Sequence, residues 1–367
     1  MSGHAPPDYT LIETQPALDE VCDRITAEIE IAMDTEADNQ YHFRTRLCLI
    51  QLEVGKRIFL VDTELPLDLA PLWAALSGRH LVMHGSDFDL RLMRERGSFR
   101  PHSLFDTMLA AQLVGLPKFG LSSLLEQYFG LKLNKENQTA NWSKRPLEKE
   151  LLDYAATDAL YLRPLRDILH ARLSELGRLE WMRQKCQWQI DNAANGFEKD
   201  MRHAWRIGGS ERMRGHDLGV LHAVWHWRER EAERLDRPPF KIISTQQMLD
   251  IARSAPEGRE GPIIDRILST RGGRRFRGLR EAVSQGMRLD PESLLRRESN
   301  REDRSLTREE QERLEQVKAR RDTVARELGI DPTLIASRSQ LSSLIRNPSK
   351  LDDQLLPWQA DLMRPLL

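Results

Sequence analysis

Between residue 29 and about residue 176 the spacing of apolar positions switches between the two periods of regular structure. Ile29-Glu30-Ile31-Ala32-Met33 is a short apolar run that reads as a strand. Arg46–Glu53 and Arg57–Asp62 are β-branched, apolar segments separated by Val54-Gly55-Lys56, a pattern that predicts a hairpin. A helix around Pro71–Leu76 precedes a fourth strand at His80–His84. Leu90, Leu92 and Met93, with charges between them, give Asp87–Arg96 the spacing of an amphipathic helix. Thr107–Val114, Leu121–Phe129 and Leu147–Leu176 read as further helices. Strands interleaved with helices predict an α/β fold, a mixed sheet flanked by helices.

Beyond about residue 180 the strand pattern disappears. A helical stretch rich in Trp and charge runs to Asp200, and Gly208-Gly209-Ser210 reads as a linker. The segment from Leu235 through Pro239, Ile242, Ser244 and Gln247 to Met248 then aligns without a gap on Leu328, Pro332, Ile335, Ser337, Gln340 and Leu341, at a constant offset of 93 residues. Each block follows a long amphipathic helix, Leu218–Leu235 and Arg308–Leu328; the second opens on Thr307-x-x-Glu310, a capping box, and stops at Gly329. Two copies of one all-α module are expected. The domains expected are therefore 1–205, 213–295 and 304–367, with the charged span Arg296–Arg304 as connector.

Length and charge narrow the function less than the motifs do. At 367 residues there is room for about two or three domains. A formal net charge of −1 at 30% charged residues predicts no partner, so any nucleic-acid affinity must come from local basic patches. Cys22, Cys48 and Cys186 are odd in number and far apart, which argues against a disulfide framework or a zinc knuckle. Met1 to Gln15 lacks a cationic start followed by an apolar core, and no apolar stretch approaches the roughly 18 residues of a membrane span. A cytoplasmic, soluble protein is expected, with no membrane association and no obligate protein partner.

The candidate chemistry lies in three acidic elements. Asp34 and Glu36 follow the apolar run one residue apart, and on a strand positions i and i+2 point the same way. Two carboxylates leaving one face at the end of a strand repel unless a cation lies between them, and hard oxygen ligands suit Mg²⁺ or Mn²⁺; the same pair can also be a turn with two solvated acids. Tyr154 and Asp158 stand at i and i+4, so on a helix the phenol and carboxylate look into one space, although a core Tyr beside a surface Asp has the same spacing. Asp89 starts a helix five residues after His84, where an acid also stabilises the helix dipole. Converged, four carboxylates can hold two divalent ions that clamp the attacking and leaving oxygens of a phosphodiester displacement, with Tyr154 orienting the water. No Ser/His or Cys/His grouping offers a covalent nucleophile.

Asp34-x-Glu36, Asp89 within His84-Gly-Ser-Asp-Phe-Asp89-Leu, and Tyr154-x-x-x-Asp158 resemble, in order and spacing, the three motifs of the DEDD exonucleases, tyrosine subclass. Phe105-Asp-Thr-Met-Leu-Ala-Ala, Leu121-Ser-Ser-Leu and Trp142-Ser-Lys-Arg-Pro-Leu147 are similar to the bacterial ribonuclease D family, and the repeated C-terminal module resembles the HRDC domain that this family carries twice. The resemblance implies a ribonuclease H-like exonuclease domain followed by two HRDC domains, and a 3′→5′ exoribonuclease releasing 5′-nucleoside monophosphates with two Mg²⁺ or Mn²⁺ ions. Asp34, Glu36, Asp89 and Asp158 would be the ligands, Tyr154 would position the nucleophile, and tRNA precursors and small structured RNAs with single-stranded 3′ ends would be the substrates. One departure is Asn141, where the family pattern leads one to expect Asp. Asp87 competes with Asp89 as a ligand, and the motif register selects Asp89.

RNA contacts are expected in the densest basic cluster, Arg271, Arg274, Arg275, Phe276 and Arg277, where guanidiniums meet phosphates and the ring stacks on a base; a solvated helix end with Phe276 in its core is the other reading. Arg44, Arg46, Lys118, Lys135, Lys144 and Arg145 are scattered candidates for a strand channel. Trp181, Trp188, Trp205, Trp225 and Trp227, at helical spacing, fit packing better than base stacking, and His84 reads as a packed residue closing its strand. Two other functions share parts of this pattern, a DNA 3′→5′ exonuclease of the same metal chemistry and an inactive nucleic-acid-binding scaffold. With no G-x-x-x-x-G-K-[ST] the chain is not itself a P-loop helicase. Deletion of everything after residue 212 is expected to leave cleavage intact.

Overall fold

The computed structural model describes residues 7–133, 135–197, 203–268, 273–290 and 306–367. The chain forms two compact units, one from Met1–Ala37, Leu47–Phe197 and Arg301–Leu367, the other from Asp38–Arg46 and Glu198–Asn300. The three stretches expected as domains are thus distributed over two bodies, and the last of them folds with the first.

The first unit is built on strands β1 (Tyr9–Ile12), β2 (Glu30–Asp38), β3 (Arg46–Val54), β4 (Arg57–Asp62), β5 (His80–Met83) and β6 (Ser103–Asp106). They form one mixed sheet in the order β1-β4-β3-β2-β5-β6. β3 and β4 pair antiparallel around the predicted hairpin, with Val54 opposite Arg57; β5 runs parallel to both β2 and β6, with Glu30 opposite His80 and Met83 opposite Asp106. β2 is longer than its apolar run predicts and continues to Asp38. Asp34 and Glu36 therefore lie within the strand and not beyond its end. β1 and β6, four residues each, carry no pattern long enough to announce them.

Helices α1 (Gln15–Ala27), α2 (Ala70–Ser77), α3 (Asp87–Gly97), α4 (Thr107–Val114), α5 (Leu121–Phe129), α6 (Lys149–Leu160), α7 (Leu162–Glu175) and α8 (Leu179–Ala193) surround the sheet. The single helix expected over Leu147–Leu176 is two, interrupted at Tyr161. Pro164 is the cause. Its ring would strike the carbonyl of Leu160 in a continuous helix and it has no N–H to offer that carbonyl, whereas the first turn of a new helix tolerates it. Beyond the break, Arg163 and Arg166 grip the foot of β2: Arg163 donates to the Glu30 carbonyl at 2.6 Å and pairs with Glu53 at 3.0 Å, and Arg166 pairs with the Glu30 carboxylate.

In the second unit α9 (His216–Leu235) ends at Asp236 in the left-handed conformation, a 3₁₀ turn follows at Pro239–Lys241, and α10 (Thr245–Ser254) opens on a reciprocal capping box between Ser244 and Gln247. α11 (Gly261–Ile267) and α12 (Arg274–Arg288) complete it around a core that includes Trp205, Trp225 and Trp227. The last stretch of the first unit repeats this grammar. α13 (Arg308–Leu328) ends at left-handed Gly329, a 3₁₀ turn occupies Pro332–Leu334, and α14 (Arg338–Arg346) opens on a reciprocal box between Ser337 and Gln340. α15 (Leu351–Gln354) and α16 (Pro357–Met363) close the chain. Every one of these caps falls at the 93-residue offset read from the sequence.

This second helical block shares one core with the six-stranded sheet. Arg178, buried just ahead of α8, donates to the carbonyls of Leu113 at 2.6 Å and Leu328 at 2.5 Å. Trp181 stacks on Trp358 with ring centroids 4.5 Å apart. A Cβ on Gly115 would come within 2.0 Å of the Gly329 carbonyl oxygen, so only glycine permits that approach.

Candidate active site

β2, α3 and α6 bring the five predicted residues into one region. Asp34 and Glu36 project from β2 as half-buried side chains, Asp89 sits half-buried in the first turn of α3, and Tyr154 and Asp158 are buried on α6. Thr35, between the two β2 carboxylates, donates its hydroxyl to Asp89 Oδ1 and its amide to Asp34 Oδ1 at 3.0 Å. Behind α6, Trp142 is fully buried with its ring 6.2 Å from that of Tyr154, which fixes the plane of the phenol.

The electrostatics of the five are coupled. Burial, then the charges of Asp89 and Asp158, raise the pKa of Asp34 well above the usual carboxylate range; burial, then Asp34, Asp158 and Asp89, do the same to Glu36. Burial pushes Asp89 up to about 6, opposed by the Thr35 hydrogen bond, and Asp158 up to about 7, opposed by a side-chain hydrogen bond with Tyr154. Burial and then Asp158 raise Tyr154, which stays a protonated donor. Among the described residues no lysine or arginine is in the set of groups acting on the four acids. Asp158 Oδ1 is buried without any hydrogen-bond partner. Four acids on which no lysine or arginine acts among the described residues, one with an orphaned oxygen, fit a hard divalent ion in ligand type and charge. Their placement stops short of a closed site: among the described residues no three His, Cys, Asp or Glu side chains stand close enough together to hold a metal ion.

Asp87, the competing ligand, is exposed and grips Arg91 with both oxygens at 3.0 Å. Asn141 accepts from the Ser143 amide at 3.2 Å and hydroxyl at 2.7 Å, an Asx turn for which an amide oxygen serves as well as a carboxylate. His84 is half-buried and shares a hydrogen bond with Thr107 at 2.9 Å, and burial lowers its pKa. The packed reading of His84 holds.

One residue that supports this site was quoted from the sequence without a role. Asp106, completely buried at the end of β6, caps α4 through the amides of Met108 and Leu109 and also accepts from the amides of Gly85 and Ser86, the Ser86 hydroxyl and Gln189. It thereby ties down the turn that launches α3 and aims Asp89. Its partners lie up to 83 residues away, so only an acid at a helix N-cap was visible in advance.

Most of the predicted RNA contacts are otherwise engaged. Arg275 lies 3.5 Å from the Glu231 carboxylate, and Phe276 packs, partly buried, against the core of the second unit, which favours the helix-end reading for these two. Arg274 and Arg277 are exposed, and Arg271 lies outside the described residues. Arg145 clamps Asp62 with two bonds of 2.6 and 2.5 Å, Arg44 and Arg46 pair with Glu233 and Asp236, and Lys144 lies 3.9 Å from Glu148. Lys118 is exposed, and the Lys135 side chain lies outside the described residues.

A family described as 3′-5′ exonuclease matches residues 9–174, and the HRDC domain family matches residues 217–261. The chain is 33% identical to ribonuclease D of Acidiphilium cryptum over 288 residues, 76% of this chain and 72% of that protein. It is 31% identical to ribonuclease D of Gluconacetobacter diazotrophicus over 96% of this chain and 90% of the relative. The crystal structure of Escherichia coli RNase D, described as an exoribonuclease involved in structured RNA processing, is similar with a TM-score of 0.76 at 27% identity, covering 98% of both chains. A mixed sheet that converges four acids and a tyrosine, within the matched span, defines a 3′→5′ exonuclease with a ribonuclease H-like fold. More narrowly, the chain belongs to the ribonuclease D family and is a 3′→5′ exoribonuclease, a hydrolase of a class that uses divalent metal ions. Among the described residues no helix is long and apolar enough to cross a membrane.

Proposed function

We propose that Asp34, Glu36, Asp89 and Asp158 are the ligands of two divalent ions, Mg²⁺ or Mn²⁺, and that the chain trims single-stranded 3′ ends of tRNA precursors and other small structured RNAs in the cytoplasm. The observation that carries this reading is the gathering of four acids from three separate segments around Tyr154, with no protein cation among them and one orphaned oxygen on Asp158. When bound, the ions supply positive charge to the scissile phosphate and acidify a water molecule. Asp34 and Glu36 stand two residues apart on β2, and the hydroxyl of Thr35 between them donates to Asp89 and fixes its carboxylate beside the strand. Tyr154, kept protonated by burial, directs its hydroxyl toward the same space and aligns the water for attack opposite the 3′ oxygen, so that the P–O3′ bond breaks and a 5′-nucleoside monophosphate leaves. In the second unit Arg274 and Arg277 are offered as RNA contacts, and residues 304–367 as a second HRDC-like copy, supported by the matched caps.

Labelled RNA and DNA of one sequence, incubated with Mg²⁺, with Mn²⁺ and with excess chelator, test the reading. RNA shortened from its 3′ end, stalling at a duplex and silenced by chelation, is expected. Preference for DNA would overturn the substrate, and turnover surviving both chelation and Asp34→Asn would overturn the metal site.

A further inference from the structure

Four of the five tryptophans between residues 181 and 227 are packed away, but Trp188 is 53% exposed. It stands on α8 two turns beyond Trp181, on the stripe that the last helical block covers where Trp181 meets Trp358. Past that stack the cover parts into a cleft of about 300 Å³ within the first unit, lined on one side by Lys185 and Trp188 and on the other by Thr333, Asp353 and Gln354. That volume is at the small end of ligand pockets, too little for a helix or a folded loop.

Lys185 and Trp188 are three residues apart on a helix and therefore neighbours on one face. Lys185 is half-buried, and among the described residues no carboxylate is in the set of groups acting on it; burial lowers its pKa. Gln354 uses its amide nitrogen on Ser343 at 2.7 Å, which leaves its Oε1 with no hydrogen-bond partner. An open indole face, an ammonium without an anion and an unused amide oxygen are three complementary demands. A planar, N–H-bearing base joined to a phosphate meets all three. Asp353 is the one acid on the lining, and it disfavours a second phosphate there.

We propose that this cleft binds one nucleotide of an RNA strand, the base stacked on Trp188 and its phosphate on Lys185, as a subsite separate from the carboxylate cluster. The proposal rests on the exoribonuclease reading for the presence of RNA, but not on the metal site. Gln189, one helical turn beyond Lys185, binds Ser86 and Asp106, so the cleft lies one turn along α8 from the residues that hold the turn aiming Asp89.

The test uses the full chain carrying Asp34→Asn in chelator, so that RNA is bound but not cut, with a fluorescein-labelled single-stranded RNA of about 15 nucleotides as probe. Trp188→Ala is expected to weaken binding roughly 10-fold and Trp188→Phe to restore most of it, because the loss is of a stacking face. Lys185→Gln should lower the salt slope of log K by about 0.7, the signature of one phosphate on a single strand, while Arg183→Gln on the same helix should leave it unchanged. In the otherwise wild-type chain, Trp188→Ala should leave hydrolysis of a dinucleotide intact. No hydrolysis by the wild type would instead count against the metal site alone. Unaltered affinity and salt slope in Trp188→Ala and Lys185→Gln, both folded by thermal melting, would overturn the subsite. So would affinity for free AMP equal to that for the strand, which would make the cleft a mononucleotide site, or loss of self-association in place of RNA binding, which would make it a protein contact.

Discussion

Ser86 is bound to Asp106 twice, its amide donating to Oδ2 at 2.8 Å and its hydroxyl to the same oxygen at 2.9 Å. Both residues are completely buried, and the pair joins the turn that starts α3 to the turn that starts α4. Removing the carboxylate leaves several buried donors unmatched, whereas removing the hydroxyl costs its bond to Asp106 and the one it accepts from Gln189, whose amide keeps its bond to Asp106. Asp106→Ala is expected to destabilise the fold by at least about 3 kcal/mol and Ser86→Ala by about 1 kcal/mol. As Asp106 acts through Asp89, Asp106→Asn should lower kcat at unchanged KM and raise the Mg²⁺ concentration needed for half-maximal rate. Urea melts and a metal titration of the rate check this. A variant that melted early but kept wild-type metal dependence would reduce Asp106 to a purely structural cap.

For Tyr154 the expected outcome concerns aim. The phenol is held by Trp142 behind and by Asp158 one turn on. Tyr154→Phe keeps the packing and removes the donor. A fall in kcat of about 10²-fold at unchanged KM is expected, because the water is present but poorly oriented. Steady-state kinetics on one RNA separate this from a rise in KM alone, which would make the hydroxyl a substrate contact.

The acidic cluster sets a pH dependence in chelator. Asp158 ordinarily titrates near 3.8 and here near 7, and Asp89 near 6. Below pH about 4 both are protonated, folded or unfolded. As pH rises from about 4 to 7 the unfolded chain releases protons that the folded chain retains, so stability present at low pH is lost through this window. Wild-type Tm should therefore fall more steeply across it than that of Asp158→Asn, by roughly 5 °C between pH 4 and pH 8. Saturating Mg²⁺ should remove the difference. Thermal melts of both proteins with and without the ion give the answer, and parallel curves in chelator would show that Asp158 is not held uncompensated.

What could be read beforehand follows the range of the interactions involved. Asp34 and Glu36 were legible because a strand repeats every second residue, and Tyr154 with Asp158 because a helix stacks every fourth. The matched caps at Ser244 and Ser337 were legible because each box closes within three residues. β6 was missed because Ser103-Leu-Phe-Asp106 has only two apolar residues, whereas β5, equally short, has three in a row. The break at Tyr161 was legible in principle from Pro164, but the apolar spacing runs through it unbroken. Asp106, Gln189 and Arg178 depend on partners many residues distant, and no local pattern distinguishes them from surface polar residues.

The last helical block carries the sharpest revision of an expectation. Read as a detachable domain, residues after 212 would be dispensable for cleavage. In the fold, Leu314, Val317, Leu341 and Trp358 belong to the same core as the exonuclease sheet, and Arg178 joins the Leu113 carbonyl to that of Leu328. Truncation at 212 would bare the Trp181 ring and leave a buried guanidinium with half its acceptors, so an aggregating or inactive product is expected. Truncation at 212 with Trp181→Gln and Arg178→Gln should recover more soluble protein, because the bared surface is then polar. In the full chain Arg178→Ala should cost about 2–4 kcal/mol from two lost charge-assisted bonds. Soluble yield, melting and exonuclease rate of these proteins are the measurements. A stable, fully active 1–212 fragment would show instead that the shared core is not needed to hold the catalytic fold.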